Sequence, residues 1–360
     1  MHGVQKAEPL DSPVGPCAKV TPSADIGTTG PQSSTSVQTR LDTAPHARHK
    51  MPMITRSPNA LSILAPVLAV IAMTLAPPVH AGARPPVLFA QPWIDSTDAG
   101  EPTFQVQALN ADTFVIRQSV RTNFEAPFLY LLFGHDRALL LDTGAGNVTV
   151  RPTIDGLIAR WQSAHGHRPV QLVVAHSHSH GDHIAGDSEF RDRPDTVLIG
   201  LTPDEVARFF GIGRWPDQTG HLDLGGRVLT VIPTPGHQPA HIMIYDPRLK
   251  VLLSGDALYP GRLYVPVDQI ATARASIDRL ALFTGTHPVR AVLGAHIEMT
   301  TTPGRDYAMK APTHPDEHRL ELGADVIGDL RNALHAMPDG TTVPQVHDSF
   351  IVYPLPVKPR

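Results

Sequence analysis

Period-two alternation opens the patterned part of the chain. Phe104, Val106 and Ala108 are separated by glutamines, and Thr113–Arg117 continues in the same way. Such alternation predicts strands with one buried face. Phe128–Phe133 and Arg137–Asp142 are apolar almost throughout and flank Gly134-His135-Asp136, which predicts a hairpin. The period then changes. From Arg151-Pro152 to Gln162, Ile154, Leu157, Ile158 and Trp161 fall on one helical face, and Pro152 suits the first turn. Val170–Ala175 is a short apolar run of strand length, and Thr196–Gly200 is another. Thr202-Pro203-Asp204-Glu205 predicts a capped helix start, with Val206, Phe209 and Phe210 following and a stop near Gly211. Further strands are expected at Arg227–Ile232, His241–Tyr245, Lys250–Ser254 and Val289–Leu293. Helices are expected at Gln269–Phe283 and Ala324–Met337, and an edge strand at Phe350–Tyr353. Strands followed by helix occur twice, as two similar halves without a short internal repeat. The class is α/β.

The chemistry sits where these strands end. After Val170–Ala175 comes His176-Ser177-His178-Ser179-His180-Gly181-Asp182-His183, which from His178 reads H-x-H-x-D-H. Side chains two apart in an extended segment point the same way, so His178 and His180 can grip one ion. Asp182 and His183 are adjacent, must diverge, and can serve a second ion beside the first. Starting the frame at His176 loses the Asp-His ending, so His176 reads as an extra polar residue. A histidine-rich tract alone also suits a solvated or metal-sequestering loop. Three later strand ends decide between the readings, because His237, Asp256 and His296 each follow an apolar run beside Gly or Pro. A site assembled from loops on one sheet edge needs that recurrence. Imidazole and carboxylate without thiolate suit zinc first, then iron or manganese.

Weaker candidates surround this set. Asp142, at the end of its strand, reads as a turn carboxylate or as an acceptor that fixes a histidine tautomer, and the two roles are compatible. Tyr259, Arg262 and Tyr264 follow Asp256 closely and could line the substrate mouth, as could Trp215 in its Gly-rich loop. For the aromatic residues Phe209, Phe210 and Trp215, core packing is the commoner role. His241, four residues after His237 on a strand, could support a ligand from behind, although core or surface is the commoner role, and His314 and His318 read as solvated.

Composition narrows the function. The 360 residues carry a formal charge of −4 and 41% hydrophobic residues, enough for a large core. A near-neutral balance gives no basic face for nucleic acid. Cys17 is the only cysteine, so no disulfide forms within the chain. Residues 1–50 are rich in Pro, Ser, Thr and Gly and read as disordered or as a mis-assigned start. Residues 51–81 have the parts of a secretory signal: Arg56, the apolar run Leu61–Leu75 broken by Pro66, and Val79-His80-Ala81 before Gly82. Cleavage after Ala81 would leave a periplasmic or secreted chain with no stable membrane anchor. The expected organisation continues with an extended lead-in at 82–103, the catalytic domain at 104–338 and a tail at 339–360.

In chain order, Leu141-Asp142-Thr143-Gly144, His178–His183, Thr234-Pro235-Gly236-His237, Gly255-Asp256 and Gly294-Ala295-His296 resemble the motifs of the metallo-β-lactamase superfamily. The likeness runs from about Phe104 to His296. It implies a four-layer αββα sandwich, two mixed sheets flanked by helices, with the site at one edge. Position by position, it assigns His178, His180 and His237 to a first metal and Asp182, His183 and His296 to a second. Asp256 would bridge them and Asp142 would orient a ligand. The implied enzyme is a binuclear zinc hydrolase in which a hydroxide shared by the two cations attacks a small ester, thioester or lactone. Asp182 would orient that hydroxide or carry its proton. The set is more similar to hydroxyacylglutathione thioesterases and lactonases than to the thiolate-using β-lactamases. An iron oxidoreductase of the same fold, similar to sulfur dioxygenases, and a β-lactamase remain as alternatives. The expected partner is a small-molecule substrate.

Overall fold

The computed structural model describes residues 86–357. The expected N-terminal extension (1–50), the signal segment (51–81) and the first residues of the lead-in lie outside the described residues. Strands β1 (Phe104–Asn110), β2 (Thr113–Gln118), β3 (Phe128–Phe133) and β4 (Arg137–Leu141) form an antiparallel meander. Helix α1 (Arg151–Ala164) crosses over to β5 (Gln171–Ala175), which lies parallel to β4. The short α2 (Gly181–Ile184) follows, and β6 (Thr196–Leu198) closes a six-stranded mixed sheet. Helix α3 (Pro203–Phe210) leads to β7 (Gly220–Asp223), β8 (Val228–Pro233), β9 (Ile242–Asp246), β10 (Val251–Gly255) and β11 (Arg262–Pro266). Then come α4 (Ile270–Thr284), β12 (Ala291–Gly294), β13 (Glu321–Leu322), α5 (Val326–Ala336), β14 (Gln345–Val346) and β15 (Ile351–Leu355). The second six-stranded sheet runs β13-β12-β10-β9-β8-β7, with β10 and β12 parallel.

Layering follows from which face of each strand is apolar. Between the sheets, Phe128, Tyr130, Leu139 and Leu141 meet Leu229, Val231, Ile242 and Leu253 in one core. The outer face of the first sheet packs on α1 through Ile154, Leu157, Ile158 and Trp161, the residues expected from the helical period. The outer face of the second sheet packs on α4 and α5 through Ile277, Leu280, Leu330 and Leu334. The fold is therefore the four-layer αββα sandwich. Local signals hold where they are strong. Thr202 caps α3 in a full capping box with Glu205, and Gly211 ends it at φ 70°.

Two expectations fail at the C-terminal side. Phe350–Tyr353 was expected as an edge strand, and residues 339–360 as a tail. Instead β15 is the middle strand of a third sheet, β11-β15-β14, pairing in parallel with β11 from Arg262↔Ile351 to Pro266↔Leu355. Phe350 and Val352 are buried against the α4–α5 layer, so this stretch belongs to the domain. The lead-in is extended but not peripheral, because Phe89 is buried in the inter-sheet core and Trp93 packs on Phe128.

Candidate metal centre

The histidine loop leaves β5 and turns at once into α2, whose first residues are Gly181, Asp182 and His183. Before that turn the backbone is extended at His180 (φ −73°, ψ 156°), so His178 and His180 project together. His237 reaches them from the loop after β8. His237 Nε2 lies 3.2 Å from His178 Nε2 and 2.9 Å from His180 Nδ1, and those two nitrogens are 2.9 Å apart. A tetrahedral zinc with ordinary Zn–N bonds sets its ligand atoms about 3.3 Å apart. The triangle is close to that size.

Beside it stands a second cluster of Asp182, His183, Asp256 and His296. Asp182 Oδ2 is 3.3 Å from His183 Nε2 and 3.4 Å from His296 Nε2. Asp256, at the end of β10, faces both clusters. Its Oδ2 is 3.7 Å from His178 Nε2 and 3.6 Å from His237 Nε2. Its Oδ1 is 3.4 Å from His183 Nε2 and 3.2 Å from His296 Nε2. That oxygen is buried without a well-formed hydrogen bond. An orphaned carboxylate oxygen is costly in a low-dielectric interior, and a cation would satisfy it. By donor chemistry, spacing and this orphan, the residues fit two divalent ions. All seven residues expected as ligands are brought together.

Fixed partners aim the rings. His237 Nδ1 donates to the Tyr264 carbonyl at 2.6 Å, and His296 Nδ1 donates to the Glu125 carbonyl at 2.7 Å. Each bond leaves Nε2 facing the cluster. Asp142 accepts from His183 Nδ1 at 3.0 Å, from the Ser177 backbone N–H at 2.7 Å and from Ser177 Oγ at 2.9 Å. Its two roles, turn acceptor and tautomer anchor, are thus filled at once, at a backbone φ of 70°. Gly255 must be glycine. Its φ is 52°, and an added Cβ would stand 2.7 Å from Ser177 Cβ and 2.8 Å from His241 Nε2.

Electrostatics divide the clusters. Burial, and then the neighbouring His183, push His178 well below the ordinary histidine range. Burial does the same, less strongly, to His180 and His237. Burial also penalises charge on His183 and His296, but Asp256 and Asp182, with Asp142 behind His183, overcome it and hold both well above that range. In return, against the opposing effect of burial, His183 and His296 keep Asp182 low.

The weaker candidates sort themselves. Tyr264 lies beside His237, with its hydroxyl accepting from Arg262 Nε at 3.0 Å. Tyr259 is not a substrate contact: it is buried, its hydroxyl donates to the Arg262 carbonyl, and its ring abuts His296. Trp215 is half-buried, packed against the inter-sheet core. Arg262 is held by Glu298 and Asp306 behind the site. His176 lies off the clusters, paired with Asp187 at 2.8 Å. His314, expected to be solvated, is buried beside Glu317 and stacks on Tyr307. Sequence reasoning undervalued His241. It is fully buried, with Nδ1 bonded to Thr234 Oγ1 at 2.8 Å and Nε2 accepting from the Asp256 backbone N–H at 3.3 Å. Burial and the nearby His237 lower its pKa to about 3, so it stays neutral and holds the backbone of Asp256. Its position four residues after His237 was the only available signal.

Comparison with known proteins adds the following. Residues 123–289 match the family described as Metallo-beta-lactamase superfamily. The chain is 27% identical over 198 residues to a hydroxyacylglutathione hydrolase of Rhizobium meliloti (strain 1021), covering 52% of this chain and 73% of that one. It is 27% identical over 228 residues to the acyl-coenzyme A thioesterase MBLAC2 of Gallus gallus, covering 54% and 81%. Among solved structures, a metallo-beta-lactamase from Pontibacter korlensis aligns over 65% of this chain and 100% of that chain, at 17% identity and a TM-score of 0.43.

Proposed function

Because the chain carries a metallo-β-lactamase domain, we propose that it is an exported binuclear zinc hydrolase acting on a small ester, thioester or lactone. The observation that carries this reading is the split carboxylate of Asp256, one oxygen facing the His178–His180–His237 triangle and the other facing His183 and His296. His178, His180 and His237 would hold one ion, Asp182, His183 and His296 the other, and Asp256 would join them. Ions held there supply Lewis acidity toward an acyl oxygen and acidify nearby water.

The remaining work belongs to the protein. His178 and His183 are buried whereas His180 is exposed and Asp182 partly so, which marks the side from which substrate arrives. Asp182, the more open of the two cluster carboxylates, orients the attacking water or takes its proton. Asp142 keeps His183 in one tautomer, and the Tyr264 and Glu125 carbonyls do the same for His237 and His296. A thioester is favoured because both curated relatives named above carry thioesterase or acylglutathione hydrolase names. Export rests on the apolar run Leu61–Leu75 and the Val79-His80-Ala81 ending.

The test is metal analysis joined to turnover. Purified protein should contain about two zinc ions per chain, hydrolyse S-acyl thioesters, lose the activity to a chelator and regain it with zinc. Iron in place of zinc, or turnover of nitrocefin but of no ester or thioester, would overturn the reading. N-terminal sequencing of the exported chain should begin at Gly82.

A further inference from the structure

A cavity runs from the first cluster into the layer between the second sheet and helices α4 and α5. His237 and Asp256 form part of its wall. Ile277, Leu280, Leu330 and Leu334 form another part. The α4 residues that line it, Ala273 to Leu280, cover about two helical turns, or roughly 10 Å. The lip is fixed. Ser276 Oγ donates to the Pro235 carbonyl at 2.6 Å, and Gly236 lies so close to α4 that an added Cβ would stand 2.8 Å from Ala273 Cα.

Each hydroxyl on this wall has a protein partner. Ser276 is bonded to Pro235, Thr234 Oγ1 to His241, and the Tyr264 hydroxyl to Arg262. Apart from the cluster residues His237 and Asp256, the only side-chain polar groups on the wall are these three hydroxyls, and the residues that carry them all belong to or touch the Thr234–His237 loop at the cluster end. The polarity of the space therefore runs in one direction, from ligand side chains at the cluster to aliphatic side chains between the helices. An acyl group has the matching order, a carbonyl followed by a hydrocarbon chain. The free volume is about 30 Å³. At roughly 10–15 Å³ per water-sized group, it holds about two or three carbons.

We propose that this cavity is the acyl pocket of the enzyme and selects a short, unbranched aliphatic acyl group, propanoyl to butanoyl, on the carbon side of the scissile bond. The inference rests on the hydrolase reading above and adds the substrate class.

The zinc-loaded protein should be assayed with N-acetylcysteamine thioesters of acetyl, propanoyl, butanoyl, hexanoyl and octanoyl groups. The thiol stays constant, so only the acyl chain varies. The expected profile peaks at propanoyl or butanoyl in kcat/KM and falls by about tenfold or more at octanoyl, the scale of discrimination by a tight apolar pocket. Leu334→Ala should move the optimum to hexanoyl. Ala273→Leu, which fills the lip, should move it to acetyl. The wild-type profile stands as a test even if one variant fails to fold. Hydrolysis with a flat profile, a rise continuing to octanoyl, or variants whose optima do not move would overturn the pocket and leave the hydrolase reading intact. Absence of turnover at every chain length would overturn the hydrolase reading and the pocket with it.

Discussion

The two ligand clusters differ in how they treat charge. The His178–His180–His237 triangle contains no carboxylate of its own, and its rings are kept neutral by burial. The Asp182–His183–Asp256–His296 cluster contains two carboxylates, which raise the proton affinity of its rings well above the ordinary histidine range. In the first cluster the nitrogen lone pairs are already available to a cation. In the second, a cation must displace protons that the carboxylates have attracted. Asp256 has one oxygen toward each. Two neighbouring sites built from similar residues thus differ in how strongly their rings hold a proton, set by burial and the distribution of the carboxylates.

The comparison can be broken most forcefully at Asp256. Asp256→Ala removes the shared ligand and should lower kcat by about 10³-fold, the scale of losing a principal electrostatic stabiliser. Elemental analysis should find bound zinc falling from about two to about one per chain. Retention of both ions would show that the clusters do not share this residue.

A zinc titration of metal-free protein sharpens it next. One equivalent should bind with little dependence on pH. Because the His183 and His296 pKa values are raised, these rings are protonated below their shifted values and deprotonate only as pH climbs through them. The other equivalent should therefore bind more tightly as pH rises and release protons, which calorimetry in buffers of different ionisation enthalpy would count. Equal pH dependence for both equivalents would erase the distinction.

Asp142→Ala is expected to have the smallest effect. It leaves all seven cluster residues in place but removes the acceptor of His183 Nδ1, so zinc affinity of the second cluster alone should fall about 10–100-fold. Equal weakening of both clusters, read by competition with a chromophoric chelator, would mean that Asp142 acts on the whole loop through Ser177 rather than on His183.

The strand ends that carry ligands were legible because each combines an apolar run with a residue type of specific chemistry. His178, His180, Asp182, His183, His237, Asp256 and His296 could all be named that way. Residues judged by proximity in sequence fared worse. Tyr259 and Trp215 are close to the right loops in sequence, yet one supports His296 from behind and the other packs, half-buried, against the inter-sheet core. His241 was undervalued because a histidine on a strand gives no sign of what its ring will touch. The third sheet was missed because β15 pairs in parallel with a strand almost ninety residues earlier, and no local period encodes such a partner.

By itself, then, the sequence determined the periods, the caps and the donor types, since those depend on spacings of a few residues and on side-chain chemistry. Tertiary structure alone decided which oxygen of Asp256 faces which histidines and which backbone carbonyls lock the rings. It also decided where an aliphatic space opens beside the cluster. The bond from His296 to the Glu125 carbonyl spans 171 positions and uses a group that every residue carries. A backbone acceptor has no residue-type signature, and a cavity is a property of packed surfaces from several elements, so neither can be read from the order of residues along the chain.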